Sequence, residues 1–138
     1  MSYLLDTNVI SEHSRRRPNA KVVAWLRTLP VEEQHLSVLS LGEVSNGIER
    51  LADGPRRERL RIWLERDLQG LFGARLLPID AAVADRWGRL RAEIGRPVPA
   101  IDGLLAATAL HHDLRLVTRN EQDFSEFPGL IVVNPWRQ

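Results

Sequence analysis

Short apolar runs alternate along this chain with longer segments whose apolar residues recur every three to four positions, and few folds accommodate that alternation. The runs are Tyr3-Leu5, Leu36-Val38, Arg75-Leu77, Leu114-Val117 and Leu130-Val133, each of a length suited to a buried strand. Between them Val22, Leu26 and Leu29 form one helical stripe, Leu60, Leu64, Leu68 and Leu71 a second, and Val83, Trp87, Leu90 and Ile94 a third. Strands that alternate with amphipathic helices bury both by laying the helices across a sheet of mainly parallel strands, so an α/β fold is expected. Ile101-His112 supplies a further helix, with Ile101, Leu104, Leu105, Thr108 and His112 on one side and Ala106, Ala107 and Ala109 allowing close approach. Pro97 and Pro99 bar the preceding residues from helix and mark its entry. Turns are expected at Arg17-Pro18-Asn19, Asp53-Gly54-Pro55 and Phe127-Pro128-Gly129.

With 138 residues, 43% hydrophobic and 27% charged, the chain has the size and make-up of one globular domain, expected to span 1–138. It holds no cysteine, which excludes disulfides, thiolate catalysis and sulfur-ligated zinc or iron. Any metal must therefore be held by oxygen or imidazole. Met1 to Asp6 lacks a basic segment and reaches a carboxylate after a very short apolar run. Neither a signal peptide nor a membrane span is expected there, and the cytoplasm is the default location. A formal net charge of +1 gives no global attraction to nucleic acid. The positive charge is almost all arginine, Lys21 being the single lysine, and it is dense at Arg15-Arg16-Arg17 and across Arg56, Arg57, Arg59 and Arg61. Such clusters are either solvated surface or contact sites for RNA phosphate or a partner protein.

Four carboxylates stand out, and each has a purely structural explanation when taken alone. Asp6 closes the first strand, where aspartate is a preferred helix N-cap. Ser40-Leu41-Gly42-Glu43 fits a capping box, in which the glutamate reaches back to a backbone N–H. Asp102 opens the Ile101-His112 helix, where a carboxylate satisfies orphan N–H groups and complements the macrodipole. Asp123 lies just past a strand, in what reads as a solvated loop. Their joint placement carries more. In a parallel sheet every strand end that leads into a helix lies on one edge, where ligands bind. Two carboxylates roughly 5 Å apart at an effective dielectric of about 20 repel by ~3 kcal/mol. A cluster of them either takes up protons or is neutralised by a cation. All-oxygen ligation selects a hard ion, Mg²⁺ or Mn²⁺, whose usual chemistry is phosphodiester hydrolysis by a metal-activated water.

The quoted residues also form an ordered set: Leu4-Leu5-Asp6-Thr7-Asn8-Val9-Ile10, Leu36-Ser37 followed by Glu43 and Gly47-Ile48, Asp102-Gly103-Leu104-Leu105-Ala106-Ala107-Thr108-Ala109, then Leu116-Val117-Thr118-Arg119-Asn120 and Asp123-Phe124. In that order and spacing the chain resembles a PIN domain of the VapC and FitB toxin kind, and its tail Asn134-Pro135-Trp136 resembles FitB. The resemblance implies a three-layer α/β/α sandwich around a central, mainly parallel sheet. It also implies a homodimer, metal-dependent cleavage of RNA with Mg²⁺ or Mn²⁺, and inhibition by a cognate antitoxin of a type II toxin-antitoxin pair. Carried over position by position, it makes Asp6, Glu43 and Asp102 the acids that hold metal directly or through water. Thr7, Asn8 and Thr118 support them. Many relatives carry aspartate where Asn120 stands, so the fourth acid is assigned to Asp123, with Asn120 the other occupant of that position.

Other polar residues fit chemistry less well. His111-His112 at a helix C-terminus suits the dipole rather than a metal, and Trp25, Trp63, Trp87 and Trp136 suit packing rather than base stacking. A haloacid-dehalogenase-like phosphatase would place a second aspartate where Asn8 stands and a lysine late in the chain, and both are missing. A receiver domain accepting phosphate would want adjacent acids after the first strand and a lysine near the last. A PIN fold that survives as a catalytically weakened binding module stays open because of Asn120.

Overall fold

Each apolar run contributes a strand to one sheet: β1 (Tyr3–Leu5), β2 (Gln34–Ser37), β3 (Leu76–Leu77), β4 (Arg115–Val117) and β5 (Val132–Val133). The computed structural model describes residues 1–137, so Gln138, the last residue of the expected domain, lies outside the described residues. The strand order is β3-β2-β1-β4-β5, and every pairing is parallel.

Alternation along the strands sorts the core into two layers. Leu4 and Leu116 face one side and pack with Val83, Leu90, Leu105, Ala106 and Phe124 from α6 (Ala81–Ile94), α7 (Ala100–His111) and α8 (Glu121–Phe124). Leu5, Leu36 and Val117 belong to the other side. There they meet Val9 and Ile10 of α1 (Thr7–His13), Trp25 of α2 (Ala20–Arg27), Ile48 of α3 (Val38–Glu49), Leu60 of α4 (Pro55–Ile62) and Phe72 of α5 (Gln69–Phe72). This is the three-layer α/β/α arrangement that the resemblance implies.

Several boundaries differ from the sequence expectation. Val38 is the first residue of α3 rather than the end of a strand, because Ser37 caps the helix by accepting from Leu39 N–H at 3.1 Å. Arg75 sits in a 3₁₀ turn and β5 starts only at Val132. The stripe Leu60, Leu64, Leu68, Leu71 breaks at its last member: Leu64 and Leu68 are buried, but Leu71 is 54% exposed. A π-helical stretch, Trp63–Leu68, joins α4 to α5, and its wider turn rotates the following residues out of phase, so Phe72 takes the core position instead.

Connectivity fixes where a site can form. The chain leaves β1 for β2 and β3 on one side, then crosses back to β4 and β5 on the other, so strand order reverses between β1 and β4. A crevice at the carboxyl ends of the strands is expected at such a reversal. Asp6 follows β1 and Thr118 follows β4, placing both at its floor.

Candidate active site

Asp6 is the anchor of the crevice and is buried, 7% exposed. It caps α1 through Oδ1, which accepts from Thr7 N–H at 2.7 Å. Its Oδ2 accepts from Thr118 Oγ1 at 2.8 Å and, more weakly, from Asn8 Nδ2 at 3.4 Å. The capping explanation and the site explanation therefore both hold for this residue. Thr118 is wholly buried and its hydroxyl also accepts from Asn8 Nδ2 at 3.2 Å and from Asn120 N–H at 3.0 Å. Asn8 Oδ1 in turn accepts from Arg119 N–H at 3.3 Å. Asp6, Asn8, Thr118 and the main chain of 119–120 thus form one network across the strand reversal.

Glu43 does not form the expected capping box. Ser40 lies inside α3 with its hydroxyl buried and unpartnered, and Glu43 is two turns into the helix. Its exposed carboxylate instead accepts from Thr7 Oγ1 at 2.8 Å, which ties α3 to α1. Asp102 is not an N-cap either: α7 starts at Ala100 behind Pro99, and no side chain caps it. Asp102 lies in the first turn, where its charge still complements the macrodipole. Asp123 belongs to the single-turn helix α8 rather than a loop.

These placements produce an open cleft of about 380 Å³ lined by Asp6, Thr7, Asn8, Ser11, Glu43, Ile101, Asp102, Leu105 and Asn120. Asn120, not Asp123, occupies its wall. Asp123 borders an adjacent polar hollow that shares Asn120 and is also lined by Arg119, Asn134 and Arg137. Among the described residues no three of the acids close around a single point, so they line the walls of the cleft rather than gripping one position. Ser11, one turn after Thr7 on the same helix face, is a lining residue that the sequence motif passes over, although its spacing gives it away.

The carboxylates still feel one another. Burial raises the Asp6 carboxyl above its ordinary value; the hydrogen bonds from Thr118 and Thr7 oppose that, and the charges of Glu43 and Asp123 add to it. Burial likewise raises Asp102, followed by the charges of Asp123, Asp6 and Glu43. All four acids are thereby coupled electrostatically, Asp123 included.

Neither arginine cluster lines the cleft. Arg15 bonds the buried carboxylate of Glu12 at 3.2 Å. Arg57 pairs with Glu49 at 2.8 Å and with Asp53, and Arg61 bonds Glu49 at 2.8 Å and Ser45 at 3.0 Å, which pins α4 to α3. Arg16, Arg17, Arg56 and Arg59 are exposed.

Comparison with known proteins agrees with this geometry. The PIN domain family matches residues 3–130. The chain is 40% identical over 136 residues to a protein named toxin FitB from Neisseria gonorrhoeae, covering 96% of this chain and 97% of that one. It is 33% identical over 136 residues to a protein named VapC ribonuclease Y4jK from Sinorhizobium fredii, with 96% of each covered. The crystal structure of FitAcB from Neisseria gonorrhoeae superimposes with a TM-score of 0.91 at 39% identity over 99% of both chains. Coverage on this scale, with the strand order and cleft just described, means that the chain belongs to the PIN-domain family, among relatives named as FitB and VapC toxins.

Proposed function

We propose that this protein is a Mg²⁺- or Mn²⁺-dependent endoribonuclease and the toxin of a toxin-antitoxin pair. The observation that carries the reading is the cleft at the strand reversal, where Asp6 from the end of β1, Glu43 from α3 and Asp102 from α7 come together and repel one another. The donor set fits a hard divalent cation: it is all oxygen, from carboxylates and nearby hydroxyl and amide groups, with no imidazole or sulfur in the lining. Asp6, Glu43 and Asp102, which line the walls without closing on one point, would hold it directly or through water, with Asn120 or Asp123 at the fourth position. When bound, such a cation supplies water activation and neutralises charge developing on a phosphodiester.

The chain's own residues prepare that chemistry. Thr118 and the Thr7 N–H donate to opposite oxygens of Asp6 and favour its ionised form against the effect of burial. Thr7 Oγ1 donates to one oxygen of Glu43, and the other accepts no hydrogen bond among the described residues. Asn8 spans Asp6, Thr118 and the 119 main chain, which fixes the floor of the cleft. Hydrolysis by water with the ribose 3′ oxygen as leaving group gives 5′-phosphate and 3′-hydroxyl ends. The relative named a VapC ribonuclease supports RNA as the substrate, and the relative named toxin FitB supports a toxin role. Inhibition by a cognate antitoxin and a homodimeric toxin complete the reading.

The test is incubation of the purified protein with a panel of tRNA and rRNA fragments, with Mg²⁺ or Mn²⁺ and with EDTA. Metal-dependent cleavage leaving 5′-phosphates is expected, and a cognate antitoxin should abolish it. Ends carrying 2′,3′-cyclic phosphate, or undiminished cleavage in EDTA, would overturn the mechanism. Specific RNA binding without cleavage would favour the weakened binding module, for which Asn120 in the cleft wall is the supporting observation.

A further inference from the structure

A cleft walled by carboxylates repels the polyanion it is proposed to cut, so the substrate must meet positive charge close by. The two arginine clusters are poorly placed for this. Arg15-Arg17 follow the end of α1 and none of them lines the cleft, and Arg15 is paired with Glu12. Arg57 and Arg61 are paired with acids of α3 and its following turn. One exposed arginine stands apart. Arg119 lies between Thr118, which bonds Asp6, and Asn120, which lines the cleft. Its main-chain N–H is held by Asn8 and its carbonyl accepts from Asn134 Nδ2 at 3.4 Å.

The Arg119 guanidinium rests over the ring of Trp136, 5.6 Å from its centroid, and among the described residues it makes no ion pair. Buried Asn134 fixes both halves of this contact: its amide N–H bonds the Arg119 carbonyl, and its Oδ1 accepts from Trp136 N–H at 2.9 Å. Of the two acids that line the same hollow, Glu121 and Asp123, Glu121 is engaged by Asn134 at 2.7 Å and Arg137 at 3.0 Å. A guanidinium held over an indole by a cation–π contact keeps N–H donors available for a phosphate, and the contact removes part of the rotamer freedom that binding would otherwise cost.

We infer that Arg119, held over Trp136 in the hollow next to the acidic cleft, binds a backbone phosphate of single-stranded RNA beside the scissile one. The Asn134-Pro135-Trp136 segment is then the mount for that contact. The inference rests on the ribonuclease reading and adds a substrate-positioning residue to it. Arg119 acts on the neighbouring phosphate rather than on the reacting atoms, so its loss weakens the complex more than the turnover.

The experiment compares wild type, Arg119→Ala, Arg119→Lys and Trp136→Phe in cleavage, and the same changes in an Asp102→Asn background in binding of a short single-stranded oligoribonucleotide followed by anisotropy across a salt series. Arg119→Ala is expected to raise KM about tenfold with kcat within about threefold, and to lower the salt slope of binding by roughly 0.7, one phosphate contact on a single strand. Arg119→Lys should keep the slope and lose part of the affinity, and Trp136→Phe should fall between. Unchanged KM and salt slope in Arg119→Ala, with wild type cleaving normally, overturn the inference and leave the ribonuclease reading intact. Loss of antitoxin affinity with RNA binding unaltered also overturns it, by assigning the surface to protein. A wild type that neither binds nor cuts RNA removes the ribonuclease reading, and the inference with it.

Discussion

Gly103 shows how tightly one residue can constrain the cleft. It follows Asp102 in the first turn of α7 and is buried. A Cβ added there would lie 2.9 Å from Trp87 Nε1 and 3.0 Å from Trp87 Cδ1. The indole has little room to yield, because Arg91 lies against its ring 4.7 Å from the centroid and its Nε1 is already buried without a partner. Gly103→Ala is expected to cost about 1–3 kcal/mol through overpacking and to displace Asp102, lowering cleavage as well. Urea denaturation checks the first part. Gly88→Ala in α6, where a Cβ meets open space, is the control and should stabilise by about 0.5–1 kcal/mol. The sequence motif shows Asp102 and Gly103 side by side but not why the second must be small, since that depends on Trp87 arriving from α6. Thr118 is similar: its place at a strand end is legible, whereas its bond to Asp6 exists only because β4 pairs with β1.

At the scale of elements, α3 separates two explanations of the same serine-rich stretch. The capping-box pattern rightly announces a helix here but makes Ser40 its N-cap, yet the cap is Ser37. Ser37 reads from the sequence as the middle of a Leu36-Val38 strand, and its role as cap is decided by β2, which pairs through Ser37 with Leu77 of β3 and ends there. Ser37→Ala is expected to destabilise by about 1 kcal/mol. Ser40→Ala, which removes a buried hydroxyl without a partner, should be neutral or mildly stabilising. Equal losses at the two positions would mean that the helix begins later than Val38, and that Glu43 belongs to its first turn. The α4–α5 join teaches the same lesson from the other side. A regular stripe through Leu60, Leu64, Leu68 and Leu71 presumes one continuous helical period, and the π-helical stretch breaks that period in a way that composition does not announce. Strand order and the reversal between β1 and β4 are also beyond periodicity, which gives the elements but not which of them are neighbours. The acids were legible as a set because the reversal gathers strand ends, and Asp123 fell just outside the cleft because α8 is a separate turn of helix that the expected loop did not contain.

For the molecule as a whole, the acid cluster links folding to pH and, on the proposed function, to metal. Burial and neighbouring carboxylates raise Asp6 and Asp102 above the ordinary value of 3.8. Between that value and the folded-state value the native protein binds more protons than the unfolded chain, so stability from these groups falls as pH rises through the window. His112 acts in the opposite direction. Burial, reinforced by His111 and His35 against the pull of Asp80, lowers it below 6.5, so stability from His112 is gained as pH rises through its own window. A melting curve of the metal-free protein alone therefore mixes two slopes. The difference between wild type and Asp102→Asn removes the histidine contribution, which is common to both. Asp102→Asn should match or exceed wild-type Tm without metal at neutral pH, with the gap closing as pH approaches 4, while cleavage is lost. Saturating Mg²⁺ or Mn²⁺ should raise Tm of the wild type more than that of the variant, because a cation that binds the folded state stabilises it by mass action and relieves the repulsion directly. If Asp102→Asn instead lowers Tm strongly at every pH, and metal shifts neither protein, Asp102 serves its helix rather than a cation. The cluster would then be an arrangement of helix ends with no ion to share.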